Sequence, residues 1–412
     1  MQKLITFADR LDRRFALTAE TGEYIHSVIS RNHIPVDAVI VRRDGDVVDD
    51  WQERIDDHAE YRIEMVRAYH LPDFLSLTRL WDTELSSGDW QTRDDAYYTK
   101  RHFMHAGEGD YNATQVSFNR EEYVPYVEQL FVDGVHSKGL IAPAEKVLLA
   151  VSGGKDSLAL GYFLSRTAPR LPAFDLQTVH VTTFSNAPET SFAQSMAEQF
   201  GHPLTLVHDD EVQEFYHLAV SPKQALADVK YKYDASYSIA SVHSMMRCSI
   251  ERTARSLGIS KIAFGLMRED ICTSIVKSMF VGFPFGGSYR KQQGDIEMIY
   301  PLWPIGKKEL TLYLEALFPT NNKQGSPVAF ERGELARDIH YMIVDSLETL
   351  LPGAGFQLFE GHQRLVDNFL SLPVQKECEN CEMTFSLGPG AAAPDATVCE
   401  LCIVFEKLGL LR

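Results

Sequence analysis

Nowhere in the chain does an apolar run approach the eighteen or more residues that a membrane-spanning helix needs, so a helical membrane protein is excluded. Bases are scarce. Forty Lys and Arg face 57 Asp and Glu, for a net charge of -17, and the acidity is concentrated in residues 1–130, where 25 acids meet 15 bases. Affinity for nucleic acid grows by neutralising phosphates, so an RNA partner has to be met through a local basic patch. Cysteine is also rare: six in 412 residues, four of them in two CxxC pairs near the C-terminus. No internal repeat is present, and GPGAAAP (388–394) is the single low-complexity stretch. The opening MQKLITFADR meets an aspartate too early for a secretory h-region, which leads to the expectation of a cytoplasmic protein. In that setting paired CxxC motifs favour metal over disulfides.

What is present reads as two or three domains. Residues 1–72 give an α+β unit with the order strand (KLITFA), strand (RRFALTAE), helix (about 22–31), strand (AVIVRR), Asp44-Gly45 turn, strand (YRIEMVRAY). That order resembles the β-grasp of ubiquitin-like proteins and small sulfur carriers. Such carriers work through a terminal Gly-Gly, whereas this chain continues past Tyr69-His70-Leu71-Pro72, so a docking or regulatory module is expected, with a stabilising appendage as the alternative. Residues 73–120 are polar and weakly periodic and read as a connector. Over 121–350, short apolar runs (VLLAV, TVHVTTF, LTLVH, KIAFG, EMIYPL) alternate with helical stretches, the pattern of a doubly wound α/β domain with a parallel sheet and a site at its C-terminal strand ends. Residues 351–412 read as a helix and a four-cysteine ribbon.

Immediately after VLLAV stand Ser152, Gly153, Gly154, Lys155, Asp156 and Ser157, and a helix follows. Paired glycines let the backbone approach a phosphate, the first amides of a helix bind anions, and Lys155 adds a charge. The spacing is not G-x-x-x-x-G-K-[ST], whose enzymes mostly use the γ-phosphate. SGGKDS instead matches the pyrophosphatase loop (PP-loop), in which pyrophosphate leaves and AMP passes to an acceptor oxygen. ATP is the expected cosubstrate, with Mg²⁺ held by Asp156. A second constellation, Gly265-Leu266-Met267-Arg268-Glu269-Asp270, follows the KIAFG run. There Glu269 and Asp270 are candidates to face the loop, to bind Mg²⁺ or to position the acceptor; a helix N-terminal acidic pair is the alternative. Arg247, Arg252, Arg290 and Lys291 form the best local basic patch. Cys378, Cys381, Cys399 and Cys402 have the spacing of structural tetrahedral Zn²⁺, and Cys248 and Cys272 read as buried free thiols.

From about Glu121 onward the chain resembles the tRNA two-thiouridine synthetases of the PP-loop adenosine α-hydrolase class. The likeness rests on EKVLLAVSGGKDSLAL, ARSLGISKIAFGLMREDICTSIVKSMFVG, YPLWPIGKKEL and the CxxC tail. It implies adenylation of a uridine carbonyl oxygen and its replacement by sulfur from a small ubiquitin-like carrier, on tRNA. The departures are specific. GLMRED replaces the family's G-H-N-x-D-D, keeping Gly265 and Asp270. No cysteine stands near Ile239–Val242, and Ser326-Pro327 stands where a third cluster cysteine would precede proline, so no iron–sulfur cluster is expected. The family's N-terminal zinc ribbon is also missing. Three readings stay open: a thiolating enzyme, a PP-loop enzyme making an amide or thioamide on a small molecule or a protein carboxyl, and a degenerate ATP-binding interaction module. A homodimer is expected.

Overall fold

The computed structural model describes residues 2–8, 14–32, 34–66, 93–107, 110–233, 235–281, 286–318, 335–370, 374–387 and 395–412. Ser326-Pro327, the Tyr69–Pro72 segment, the GPGAAAP stretch and residues 73–92 of the expected connector lie outside the described residues.

Strands β1 (Gln2–Ala8) and β2 (Arg14–Glu20), helix α1 (Ile25–Arg31), and strands β3 (Val39–Arg43), β4 (Asp46–Val48) and β5 (Tyr61–Met65) form the N-terminal unit. Its mixed sheet has the order β2-β1-β5-β3-β4, with β1 and β5 parallel. The Asp44-Gly45 turn has positive φ at both residues (52° and 94°), the geometry that lets a two-residue loop join β3 to β4. Period-two burial along β5 (Tyr61, Ile63, Met65) and the inner face of α1 (Ile25, Val28, Ile29) build a core of their own.

The region read as a connector contains a long hairpin, β6 (Tyr98–Gly107) and β7 (Asp110–Phe118). Its first residues explain why polarity hid it. Tyr97 and Tyr98 are buried, and their hydroxyls donate to the Leu312 carbonyl (2.9 Å) and to Glu309 (3.3 Å), so polar tips are satisfied inside the core.

Helix α2 (Arg120–Ser137), opened by an Asn119/Glu122 capping box, leads into the main domain. There β8 (Lys146–Ala150), α3 (Lys155–Arg166), β9 (Asp175–Val181), α4 (Ala187–Phe200) and β10 (Leu204–Val207) are followed by α5 (Asp209–Phe215), α6 (Pro222–Lys232) and α7 (Ala235–Ser256). Next come β11 (Lys261–Ala263), α8 (Arg268–Val281), β12 (Arg290–Gln293), β13 (Ile296–Ile299), α9 (Lys307–Leu317), α10 (Leu335–Leu350) and α11 (Ala354–Asn368). The tail holds β14 (Gln375–Glu377), β15 (Thr384–Ser386) and α12 (Glu400–Lys407). The sheet order is β10-β9-β8-β11-β13-β12, parallel except for the edge strand β12. This is the doubly wound α/β sheet the alternation predicts. The chain winds outward from β8 to β10, then returns to the other side of β8 with β11, so β8 and β11 flank the topological switch point, where α/β sheets open a crevice at their carboxyl ends. Among the described residues no helix is long and apolar enough to cross a membrane.

Helices α9 and α10 join the N-terminal unit to this domain. Lys308 on α9 is buried, and its ammonium donates to Asp50 (2.9 Å) and to the Val36 carbonyl (3.2 Å). Arg42 holds Glu315 through two bonds of 2.7 and 2.9 Å, a bidentate geometry, and Met342 on α10 is buried in the N-terminal core.

Beside Lys308, burial and the neighbouring Asp50 push the carboxyl of Asp49 up to about 6. An unfolded aspartate titrates near ~3.9, so the folded chain holds this proton more tightly, and stability present below about pH 4 is lost as pH rises through about 6. Asp49→Asn keeps the oxygen that accepts from the Trp51 amide (2.9 Å) and removes the titration. Across pH 4 to 7 the stability of the wild type relative to this variant should fall by up to about 3 kcal/mol, measured by denaturant unfolding. A pH-independent difference would refute the assignment.

Candidate active site at the switch point

The loop leaving β8 is folded by its own side chains. The Ser152 amide and the Ser157 hydroxyl lie 3.0 Å apart, the Ser157 hydroxyl donates to the Gly154 carbonyl (3.1 Å), and the Gly154 amide donates to the Ser152 hydroxyl (3.3 Å). Gly153 has φ of +82°, and a Cβ there would lie 2.5 Å from Cβ of Glu189 on α4, so only glycine fits. Gly154 is the N-cap of α3 and supplies no side-chain cap, which leaves the helix's first amides available to an anion. Gly265, just past β11, shows how the two constellations meet. A Cβ there would lie 2.8 Å from Cα of Ser157 and 2.9 Å from its amide nitrogen, so the exit of one strand rests directly on the loop of its neighbour.

Asp156 and Asp270 do converge, and Lys307, from the first turn of α9, stands between them. Its ammonium is 3.3 Å from Asp156 Oδ2 and 2.8 Å from Asp270 Oδ1. The Lys307 ammonium thus lies between the two carboxylates expected to hold Mg²⁺. Asp270 also accepts from the Met267 amide (3.0 Å) and from the hydroxyl of Tyr341 on α10. Burial alone would raise Asp270, but Lys307 and these donors hold it below the ordinary carboxylate range. Burial likewise opposes the charge on Lys307, and Asp156 with Asp270 more than restores it, raising that ammonium above the usual lysine range. Asp156 Oδ1 is buried and has no hydrogen-bond partner among the described residues. Lys155 reaches back to Thr311 on α9 (3.3 Å).

Glu269 is turned the other way. Its carboxylate accepts the Lys307 backbone amide at 3.0 and 3.1 Å and so caps α9. Of the expected acidic pair, Asp270 faces the loop and Glu269 fixes the helix that delivers Lys307. Beneath them Glu309 is buried among Lys100 (2.6 Å), Arg268 (3.6 Å) and the Gly306 amide (2.8 Å). Burial would raise it, yet these cations lower its carboxyl to about 2. Lys307, Thr311 and Tyr341 were not found by sequence reasoning. The available signal was the G-x-x-E of Gly306 to Glu309, a helix-start pattern that places Lys307 at the first helical position.

The expected basic patch dissolves into internal contacts. Arg247 pairs with Glu251 (3.2 Å) and the Thr384 carbonyl (3.0 Å), Arg252 with Glu382 (3.2 Å), and Arg290 with Glu297 (3.0 Å) and the Gly139 carbonyl (2.9 Å). Lys291 is largely withdrawn from water, and burial together with Arg247 lowers its ammonium to about 8.

Cys378, Cys381, Cys399 and Cys402 come together in the tail, all buried, with sulfurs within 4.8 Å of one another and Cys381 to Cys399 at 3.8 Å. Among the described residues this is the one such group able to share an ion, and its donor set fits a thiolate-bound centre, compatible with a zinc ribbon. The Cys248 thiol donates to the Cys381 carbonyl (3.4 Å) and thereby ties the ribbon to α7.

No known family profile matches the chain. It is 27% identical over 249 residues to a tRNA-cytidine(32) 2-sulfurtransferase of Neisseria meningitidis, spanning 58% of this chain and 72% of that protein. A Paraburkholderia phytofirmans protein of the same name is 28% identical over 239 residues, spanning 56% and 66%. The solved U34-tRNA thiolase NcsA of Methanococcus maripaludis superposes with a TM-score of 0.54 at 21% identity, covering 72% of this chain and 92% of that one. The chain is thus similar in sequence to tRNA 2-sulfurtransferases and in fold to a tRNA thiolase. That thiolase was solved with a [4Fe-4S] cluster, which corrects the expectation of no iron–sulfur cluster. The expectation rested on the lack of cysteine near Ile239–Val242 and before Pro327 and gave Cys378, Cys381, Cys399 and Cys402 to zinc alone.

The contact of Gly265 with the loop is backbone against backbone, so it cannot relax by a rotamer change. Gly265→Ala should therefore cost about 1–3 kcal/mol of stability by overpacking and displace Ser157. Thermal unfolding and nucleotide-binding assays should fall together; unchanged nucleotide binding would show that the strand exit does not shape the loop.

Proposed function

We propose that this protein is an ATP-dependent tRNA sulfurtransferase that replaces the 2-position oxygen of a pyrimidine with sulfur. The observation that carries the reading is the SGGKDS loop seated at the switch point beside an ionised Asp270, in a chain similar to tRNA 2-sulfurtransferases over more than half its length. The carbonyl oxygen of the base attacks the α-phosphorus of ATP, the bond to the bridging oxygen breaks, and pyrophosphate leaves. The base now carries AMP on that oxygen. A sulfur nucleophile adds at the ring carbon, AMP departs with the oxygen, and water cleaves the bond between the sulfur and its carrier.

The chain's residues act on the first half of this sequence. Loop amides of Gly153 and Gly154, the start of α3 and the Lys155 ammonium hold the departing pyrophosphate, where charge develops in the transition state. Lys307 is a positioning residue. It neutralises two carboxylates that would otherwise repel a triphosphate, and it keeps Asp270 ionised to orient the acceptor base. Sulfur is assigned to an outside donor, a small carrier protein, because Cys272 beside Asp270 is buried against the Gly355 carbonyl (3.5 Å), and burial raises its thiol far above the thiolate range. The four tail cysteines would hold a metal centre that ties the tail in place, and no step above runs through it. ATP and tRNA as substrates support a cytoplasmic setting.

Incubation with ATP, bulk tRNA and sulfide should release AMP and pyrophosphate only when tRNA is present, and digested tRNA should gain the mass of sulfur for oxygen. Lys155→Ala should lower AMP release by about 100-fold or more. Wild-type AMP release in that variant, or AMP release with no sulfur incorporated, would sink the proposal. Lys307→Met leaves Asp270 buried without its cation, so its pKa rises and the acid limb of the pH–rate profile should move upward. An unmoved profile would reduce Lys307 to a packing role.

A further inference from the structure

With the expected arginines already paired, an acidic chain still has to meet a polyanion, and among the described residues the end of α6 carries chemistry suited to one. Helix α6 buries Pro222, Ala225, Leu226 and Val229 and ends in Lys230-Tyr231-Lys232. All four residues from Lys230 to Tyr233 are exposed. Tyr231 is 94% exposed, more than any other large apolar or aromatic side chain among the described residues. Burial of a tyrosine ring is ordinarily favourable, so one left in water beside two lysines contributes nothing to folding. Tyr233 adds a second ring, stacked on Tyr237 at 5.1 Å with 25° between planes, and the Tyr237 hydroxyl is anchored by Glu400 (3.0 Å).

The topology puts this run at the same end of the sheet as the loop. Helix α7 follows it directly and leads into β11, so its C-terminal end lies at the amino ends of the strands and its first turn at their carboxyl ends. At ~1.5 Å per residue, the 22 residues of α7 outrun the three of β11. Lysines alternating with tyrosines therefore stand on the same side of the sheet as Ser152 to Ser157.

We infer that Lys230 to Tyr233, with Tyr237, form a stacking platform for unpaired bases of the RNA substrate. The rings take base faces and the lysines take the flanking phosphates. This rests on the sulfurtransferase reading and names the surface through which its substrate is held. The acidity of the remaining surface strengthens the assignment, because repulsion elsewhere directs a polyanion to this patch. An acidic protein segment would satisfy the lysines but would leave the exposed ring of Tyr231 without a partner.

The test uses the full chain, bulk tRNA and a fluorescent 12-nucleotide single-stranded RNA, with poly-glutamate as competitor, across a salt series. Tyr231→Ala should weaken RNA binding about 10-fold with an unchanged salt slope. Lys230→Ala with Lys232→Ala should flatten the slope of log K against log salt by about 2. Both variants should melt with the wild type and keep its RNA-independent nucleotide binding. Binding by Tyr231→Ala equal to wild type, while wild-type tRNA thiolation persists, would overturn the platform and leave the function standing. Poly-glutamate competing as well as RNA would overturn it too, because charge without bases would then suffice. Absence of any RNA binding by the wild type would remove both readings.

Discussion

The ammonium of Lys307 between Asp156 and Asp270 is the contact on which the arrangement of the site depends. It joins three segments that the chain brings from far apart: the start of α3, the start of α8 and the start of α9. Each group is expensive to bury alone, and each is tolerable only because the others are there. An isolated Asp270 at this depth would take up a proton, and an isolated Lys307 would lose one. Together they stay charged, and the loop for pyrophosphate lies against a fixed, ionised acid.

Helix α9 makes this contact answerable to the N-terminal unit. Lys307 faces the site, while its neighbour Lys308 is spent on Asp50 and the Val36 carbonyl, and Glu315, two turns on, takes Arg42. Helix α10 repeats the logic, with Tyr341 donating to Asp270 and Met342 buried in the N-terminal core. A rotation or translation of the N-terminal sheet would shift the two helices that hold Asp270 and its counterion. The unit is thus built into the geometry of the site, which is a tighter relation than that of a partner on a linker.

What could be read from the sequence was what local chemistry determines. The turn of SGGKDS is shaped by hydrogen bonds among Ser152, Gly154 and Ser157, and apolar runs such as VLLAV and KIAFG are largely buried, so loop and strands were legible without knowledge of the fold. The choice between Glu269 and Asp270 was not. Adjacent helical residues point about 100° apart, and only the placement of α3 on one side and α9 on the other decides which carboxylate meets the loop. Lys307 is 151 residues from Asp156, and no local pattern reports such a pairing. Tyr97 and Tyr98 misled for a related reason. Their hydroxyls look polar in sequence, but acceptors on α9 satisfy them, and the hairpin they begin was read as a connector.

Charge shows the same division between composition and placement. A net charge of -17 argues against an RNA enzyme only if the bases are spread evenly. They are not. Arg247, Arg252 and Arg290 are already paired with acids, and the formal count treats them as though they stood alone. Arginines that look available in sequence are the ones a ribbon or a sheet edge recruits, because a guanidinium can pair in two places at once. Lys232 has a flexible stem and lies at the end of a short helix, where it remains at the surface. Counting bases therefore says less about the partner than asking which of them the folded chain has already used.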